Sequence, residues 1–340
     1  MSTSTQQISQ PAVAVFGAAG HTGRLVVAEL DRRGIATIAI TRTSGNLSPD
    51  QRVLHRQASV EDTHSLDGAL EGAAAVINCA GPFLDTADAV ANAALRSRIH
   101  YLDVTAEQQS ARTTLETFDL AARQANIAIV PSMSFYGGFA DLLATTAMAD
   151  WDHADTIDVM IGLDSWHPTR GTRITGEKNT AQRIVIAGGR LAPVSSPRSE
   201  KNWDFGNPLG LQSMVETPFS EIVLISQHIR TAELHTWLNR LALDDIHSPT
   251  TPAPVAADDT GRSTQRFIVE AVVTRDNLER RIVARGRDIY AFSATLVCEA
   301  VERLLQGKFS RAGAQPPAVL FNPKEILNAL GPDHLTVAIT

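Results

Sequence analysis

Between Val13 and Met133 the chain alternates short, almost wholly apolar runs with longer segments whose apolar residues recur every three or four positions. The runs are AVAVFG, ATIAITR, RVLHRQ, AAVINCA, HYLDVT and IAIVPSM. The periodic segments predict helices over Gly20–Arg33, Asp62–Leu70, Thr86–Arg98 and Gln109–Ala125. Strands without polar alternation, joined by helices, belong to a parallel sheet covered on both faces. Right-handed crossovers then give a doubly wound sheet.

The pattern changes after Phe135. A helix is expected over Gly138–Asp150. TIDVMIGLDS, RIVIAGGRL, EIVLISQHIR, QRFIVEAVVTRD and RRIVARG then read as strands with partial alternation. The last two flank an Asp276-Asn277 turn, which points to a mostly antiparallel sheet. SPTTPAPVAADDTGRS reads as an exposed loop, and IYAFSATLVCEAVERLLQGK as an amphipathic helix. PPAVLFNPKEILNAL supplies a loop and a short last helix. The fold class is therefore α/β: a Rossmann-type doubly wound parallel sheet plus a second α+β domain with a mostly antiparallel sheet. The boundaries expected are 1–134 for dinucleotide binding, 135–290 for substrate and dimerisation, and 291–340 for helices packing back on the first domain.

Composition narrows the partners. The 340 residues carry a net charge of -7 and a pI near 5.8, which argues against a nucleic-acid surface with its basic stripe. Only four basic residues are lysines (Lys178, Lys201, Lys308, Lys324), so 26 of 30 are arginines, the planar readers of carboxylate and phosphate. Genome bias explains that excess as well. Cys79 and Cys298 fall in apolar segments and read as buried free thiols in a reducing compartment. No apolar run reaches 18 residues, so no membrane span is expected. MSTSTQQISQP lacks the basic-then-apolar pattern of a secretion signal. A cytoplasmic protein is expected.

The stretch VAVFGAAGHTGRLVVAEL is strand, glycine turn and helix, with glycines at 17, 20 and 23. This spacing serves a tight turn, close approach of a phosphate, and helix–strand contact. The helix N-terminus adds unpaired N–H groups and a positive dipole end. Gly17, Ala19, Gly20, His21, Thr22 and Gly23 are thus expected to hold the pyrophosphate of a dinucleotide. The second strand ends at Arg42-Thr43-Ser44, and no acid occurs from Arg32 to Pro49. An acid there would bind the ribose hydroxyls of NAD; Arg42, Thr43 and Ser44 suit the 2′-phosphate of NADP(H). Arg42 could equally be a solvated loop charge. Asp62 is a candidate for adenine contact or a helix cap. The fourth strand leads into Cys79, Ala80, Gly81 and Pro82, placed for the nicotinamide half.

GAAGHTGR, VINCAGPF, HYLDVTAE and PSMSFYGGFADLLAT together resemble the saccharopine dehydrogenase-like family of NADP-binding oxidoreductases, over the first ~150 residues. Ala106 stands where that family often has glycine in YLD-[IV]-T-G-E. DSWHPTRGTRITGEKNT resembles a short bacterial branch, and trans-acting enoyl reductases form a related one. The resemblance implies a two-domain enzyme, a homodimer, with the cofactor between the domains and chemistry at C=N bonds beside carboxylates.

No tyrosine (Tyr101, Tyr136, Tyr290) has lysine four residues on, which argues against a short-chain dehydrogenase mechanism. There is no metal-ligand cluster and no G-x-S-x-G elbow. Two constellations remain. Alternation sets Tyr101, Asp103 and Thr105 on one side of a strand end, where Tyr101, Asp103 or Glu107 could supply a proton; Asp103 and Thr105 could instead cap the next turn. In the second, Trp166 could wall a pocket and His167 act as general acid, while Arg170, Arg173 and Lys178 clamp a substrate acid. A solvated arginine-rich helix fits that stretch too. Tyr136, in the glycine-rich crossover, should border the cleft and contact substrate. The function expected is hydride transfer between NADP(H) and a C=N, C=O or C=C group of a small acid-bearing substrate. Alternatives are a non-catalytic NADP-binding regulator and a trans-acting enoyl reductase.

Overall fold

The computed structural model describes residues 11–43 and 53–339; Ser44 lies outside them. The chain begins β1 (Ala12–Phe16), α1 (His21–Arg32), β2 (Thr37–Thr41), β3 (Val53–Gln57), α2 (Thr63–Ala69), β4 (Ala73–Asn78), α3 (Phe83–Ser97), β5 (His100–Asp103), α4 (Gln108–Ala125) and β6 (Ala128–Val130). Every strand pairing in this sheet is parallel. The spatial order β6-β5-β4-β1-β2-β3 reverses between β1 and β4. That reversal opens a crevice at the carboxyl ends of the strands, where such sheets bind ligands. The strands lack alternation because both faces are covered: β1 is buried at every position. Arg98 and Asn126 adopt left-handed conformations that end α3 and α4.

A kinked turn, Phe135–Phe139, leads into α5 (Ala140–Met148). Gly137 sits there at φ 120°, with Ser220 Oγ only 2.5 Å from where a Cβ would lie. Beyond it come β7 (His153–Leu163), α6 (Arg170–Lys178), β8 (Ile184–Ala187), β9 (Arg190–Pro193), β10 (Glu200–Asp204), β11 (Leu211–Glu216), α7 (Glu221–Ser226), β12 (Arg230–Asn239), α8 (Arg240–His247), β13 (Arg266–Arg275) and β14 (Leu278–Arg287). The chain ends with α9 (Ile289–Leu305), β15 (Gly313–Ala314), α10 (Pro317–Leu320), α11 (Pro323–Leu330) and β16 (Leu335–Ile339). The second sheet runs β10-β11-β12-β7-β13-β14-β16, and only β7–β12 pairs in parallel. Asp276 and Asn277 both take positive φ, 51° and 63°, so the expected hairpin turn forms.

Three expectations change. EIVLISQHIR is not a strand: Glu221–Ser226 is helix α7, and the strand starts at Arg230. An apolar run of six residues fits either period, and here helix is chosen because it is buried from all sides. RIVIAGGRL is a hairpin, since Gly188 and Gly189 turn at φ 57° and 74°. The C-terminal segment divides its packing. Helix α9 lies on α1 and β15 extends the first sheet, whereas α10 and α11 lie on α5 and β16 joins the second sheet. Among the described residues, no helix is long and apolar enough to cross a membrane.

Candidate active site

The glycine turn lies at the point of strand reversal. Gly17 takes φ 81°, and a Cβ there would approach Ala80 Cβ to 2.9 Å, so β1 and β4 come together only through glycine. Gly17 and Ala18 donate to Ile40 O, tying the turn to β2. Gly20 stands at the N-cap of α1 with no side chain capping it. The first-turn N–H groups therefore face the crevice, ready for an anion. His21 Nε2 is buried there without a hydrogen-bond partner, and burial lowers the pKa of its ring. Arg42 and Thr43 are exposed at the end of β2, beside the same crevice. These features fit a dinucleotide: a turn stripped of side chains, an uncapped helix end, and a cation one strand away.

Next to the start of α1 lies a chamber of about 220 Å³. The first domain lines it with Thr22, Cys79, Gly81 and Glu107; the second lines it with Tyr136 and Trp166. Trp166, Tyr136, Phe219 and Arg183 form one continuous wall. Trp166 and Tyr136 centroids are 5.2 Å apart, Tyr136 and Phe219 4.2 Å, and the Arg183 guanidinium lies 4.8 Å over Phe219. Tyr136 is 8% exposed, and its hydroxyl is buried without a partner. Burial pushes that hydroxyl's pKa well up, so it keeps its proton. Tyr290 Oη is a hub: Trp166 Nε1 and Thr169 N donate to it at 3.1 and 3.3 Å, and Thr172 Oγ1 lies 3.0 Å away. The Tyr290 ring meets His21 edge-on at 5.2 Å, which joins the glycine turn to α6.

The sequence candidates divide. Cys79, Gly81, Thr22, Tyr136 and Trp166 line the chamber, with Ala80 and Pro82 in the same loop. Cys79 is a thiol whose pKa burial raises further, so it is not a poised nucleophile. Tyr101 and Asp103 do not reach the chamber; both have no exposed surface. Tyr101 Oη donates to Asp103 Oδ2 at 2.9 Å, and Asp103 Oδ1 accepts Thr105 N and Ser132 N. Their place is a staple between β5 and the chain after β6. Glu107 is spent as well, accepting Phe83 N and Leu84 N at the start of α3. Asp62 caps α2 through His64 N and Ser65 N.

The expected acid clamp does not converge. Arg173 donates to the carbonyls of Ile246, Ser248 and Thr251. Lys178 pairs with Asp85 across the mouth of the cleft at 2.8 Å. Arg170 is exposed and His167 half-buried, and neither lines the chamber. Arg170 and Arg173, three residues apart, share a helix face, but the residues of α6 that line the chamber are Gly171, Thr172, Thr175 and Gly176. The cation that does reach it is Arg183, beyond the helix. Phe219 and Tyr290 carried no local signal, because long-range packing brings them in. Among the described residues, no group of His, Cys, Asp or Glu is placed to hold a metal.

Comparison with known proteins agrees with this geometry. Residues 13–130 match the family described as Saccharopine dehydrogenase NADP binding domain. The fold matches saccharopine dehydrogenase (L-Glu forming) from Saccharomyces cerevisiae with a TM-score of 0.68 and 12% identity, covering 97% of this chain and 100% of that one. At this identity the likeness is one of fold. Partial matches include UDP-glucose 4-epimerase from Thermotoga maritima (TM-score 0.30, 13% identity, 39% of this chain and 63% of that). Vestitone reductase from alfalfa gives 0.26, 17%, 29% and 39%. No curated protein sequence matches the chain.

Proposed function

From the match of residues 13–130 to the Saccharopine dehydrogenase NADP binding domain family, we propose that the protein is an NADP-dependent oxidoreductase acting on a C=N, C=O or C=C group of an acid-bearing substrate. The observation that carries this reading is one chamber lined both by Thr22, in the first turn of the uncapped helix α1, and by Tyr136, whose hydroxyl has no partner. NADPH, when bound, supplies a hydride from C4 of its nicotinamide.

The chain's own residues position and protonate. The first-turn N–H groups after Gly20 would hold the pyrophosphate of a bound cofactor, and Arg42 would hold its 2′-phosphate. Trp166, Tyr136 and Phe219 exclude water from the reacting carbon. Tyr136 Oη holds a proton where a hydroxyl can donate to the substrate atom that gains charge. Tyr101, Asp103 and His167 have no part in this proposal, since none lines the chamber.

The test is calorimetric titration of the wild type and Arg42→Asp with NADPH and with NADH. Wild type should prefer NADPH, and the variant should lose about 10- to 100-fold of NADPH affinity, the worth of charge-assisted hydrogen bonds. NADH affinity should not change. Equal binding of the two cofactors by both proteins would remove Arg42 from the site. Binding of neither by the wild type would end the oxidoreductase reading.

A further inference from the structure

Beyond the neck formed by Trp166, Asn179, Arg183 and Phe219, the inner chamber continues into a second one of about 670 Å³. The two differ in charge. The only cation lining the inner chamber is Arg183, at the neck; its only carboxylate, Glu107, is bonded to backbone N–H groups. The outer chamber is lined by Arg173, Arg183, Arg198 and His247 against a single acid, Glu177. Arg173 is occupied by three carbonyls. Arg183 gives one bond, to Pro218 O, and forms no ion pair; Arg198 forms neither a hydrogen bond nor an ion pair among the described residues. Burial and the nearby Arg198 lower Arg183 to about 10, against a weaker opposing pull from the buried Glu221, which lies beyond ion-pair distance. A half-buried guanidinium without an ion-pair partner is costly, and an anion from outside would relieve it.

Resting on the oxidoreductase reading, we propose that the substrate is elongated. Its reacting end is uncharged and apolar and enters the inner chamber against Tyr136 and Trp166. Its acid is terminal and remote from the reacting carbon, held in the outer chamber by Arg183 and Arg198. The order follows from charge: an acid beside the reacting carbon would be pressed into an aromatic chamber that has no cation beyond its neck. It also follows from size. A bound nicotinamide ring would take part of the smaller chamber, which would leave the larger one for the body of the substrate.

The test uses the full-length protein and phenyl-capped acids of increasing chain length: phenylacetate, 3-phenylpropanoate, 4-phenylbutanoate and 6-phenylhexanoate. Succinate and 4-phenylbutanamide serve as controls. Binding is read by calorimetry with and without NADPH. Affinity should rise at least tenfold from phenylacetate to the longer acids, and succinate and the amide should bind weakly. Arg198→Ala, at an exposed position, should cancel the gain of the long acids and leave phenylacetate unchanged. Arg183→Ala should weaken every acid. A flat length series, succinate as tight as the aryl acids, or long acids indifferent to Arg198→Ala would each overturn the proposal. The two readings fail separately. NADPH binding with a flat series removes the elongated substrate alone; a rising series without NADPH binding removes the cofactor alone.

Discussion

Asp103 shows how burial decides the role of a side chain. Its carboxylate accepts three hydrogen bonds, from Thr105 N, Ser132 N and Tyr101 Oη. Burial still outweighs them and raises its pKa from 3.8 to about 6. The folded protein therefore holds a proton that the unfolded chain releases above pH ~4. Stability from this group is fully present below pH 3.8 and is lost as pH rises through about 6. A shift of about two units corresponds to about 3 kcal/mol. Asp103→Asn keeps an oxygen for both N–H groups and has no charge to bury. In urea unfolding, the stability of wild type minus variant should fall by about 3 kcal/mol between pH 4 and pH 7. A difference that stays flat would mean that Asp103 folds as a carboxylate. The turnover proposed above should survive the change, because Asp103 does not line the chamber.

At the scale of elements, the glycine turn is held by contact more than by hydrogen bonds. A Cβ on Gly23 would run into Gly17 O and lie 2.9 Å from Ala18 Cα, both backbone atoms that cannot move aside. Gly23→Ala should therefore push α1 off β1, cost about 1–3 kcal/mol by overpacking, and lower NADPH affinity in the same protein. Thermal unfolding and NADPH titration check both. A variant that keeps its stability and its binding would show that the turn is looser than its contacts. This element was legible from sequence because its rules are local: an apolar strand, three spaced glycines, then a periodic helix. The parallel sheet followed for the same reason. What escaped was set from far away. Glu221–Ser226 became helix through its surroundings. Arg173 was drawn to carbonyls about 75 residues on and Lys178 to Asp85, so two cations from one polar stretch found different partners, while Arg170 stays exposed. Tyr136 was legible as a cleft residue because it sits in the crossover between domains. Its partnerless hydroxyl needed the packing of Phe219 and Trp166 to appear.

At the scale of the molecule, helix α9 is bolted to helix α1. Arg33, one residue past α1, is 12% exposed and contacts three carboxylates at 2.8 Å: Glu29 on α1, and Glu299 and Glu302 on α9. Cys298 Sγ lies against Val26 O at the same seam. Arg33→Ala would leave three acids facing one another, of which Glu29 keeps only Arg32 and Glu299 only Arg303. Removing one partner from a buried charge cluster costs about 3 kcal/mol or more. Burial raises the pKa of Glu29, but its bonds to Arg32 and Arg33 outweigh this and hold it below the usual range. Its contribution is thus present above the unfolded pKa and lost as pH falls through the lower, folded one. Without Arg33 the acids repel, and protonating them becomes a relief. The fall in Tm caused by Arg33→Ala should therefore be larger at pH 8 than at pH 4.5. NADPH affinity should weaken as well, since α1 presents the uncapped turn. An equal fall in Tm at both pH values would show that apolar packing of α9 on α1, not the charge cluster, joins the C-terminal segment to the cofactor domain.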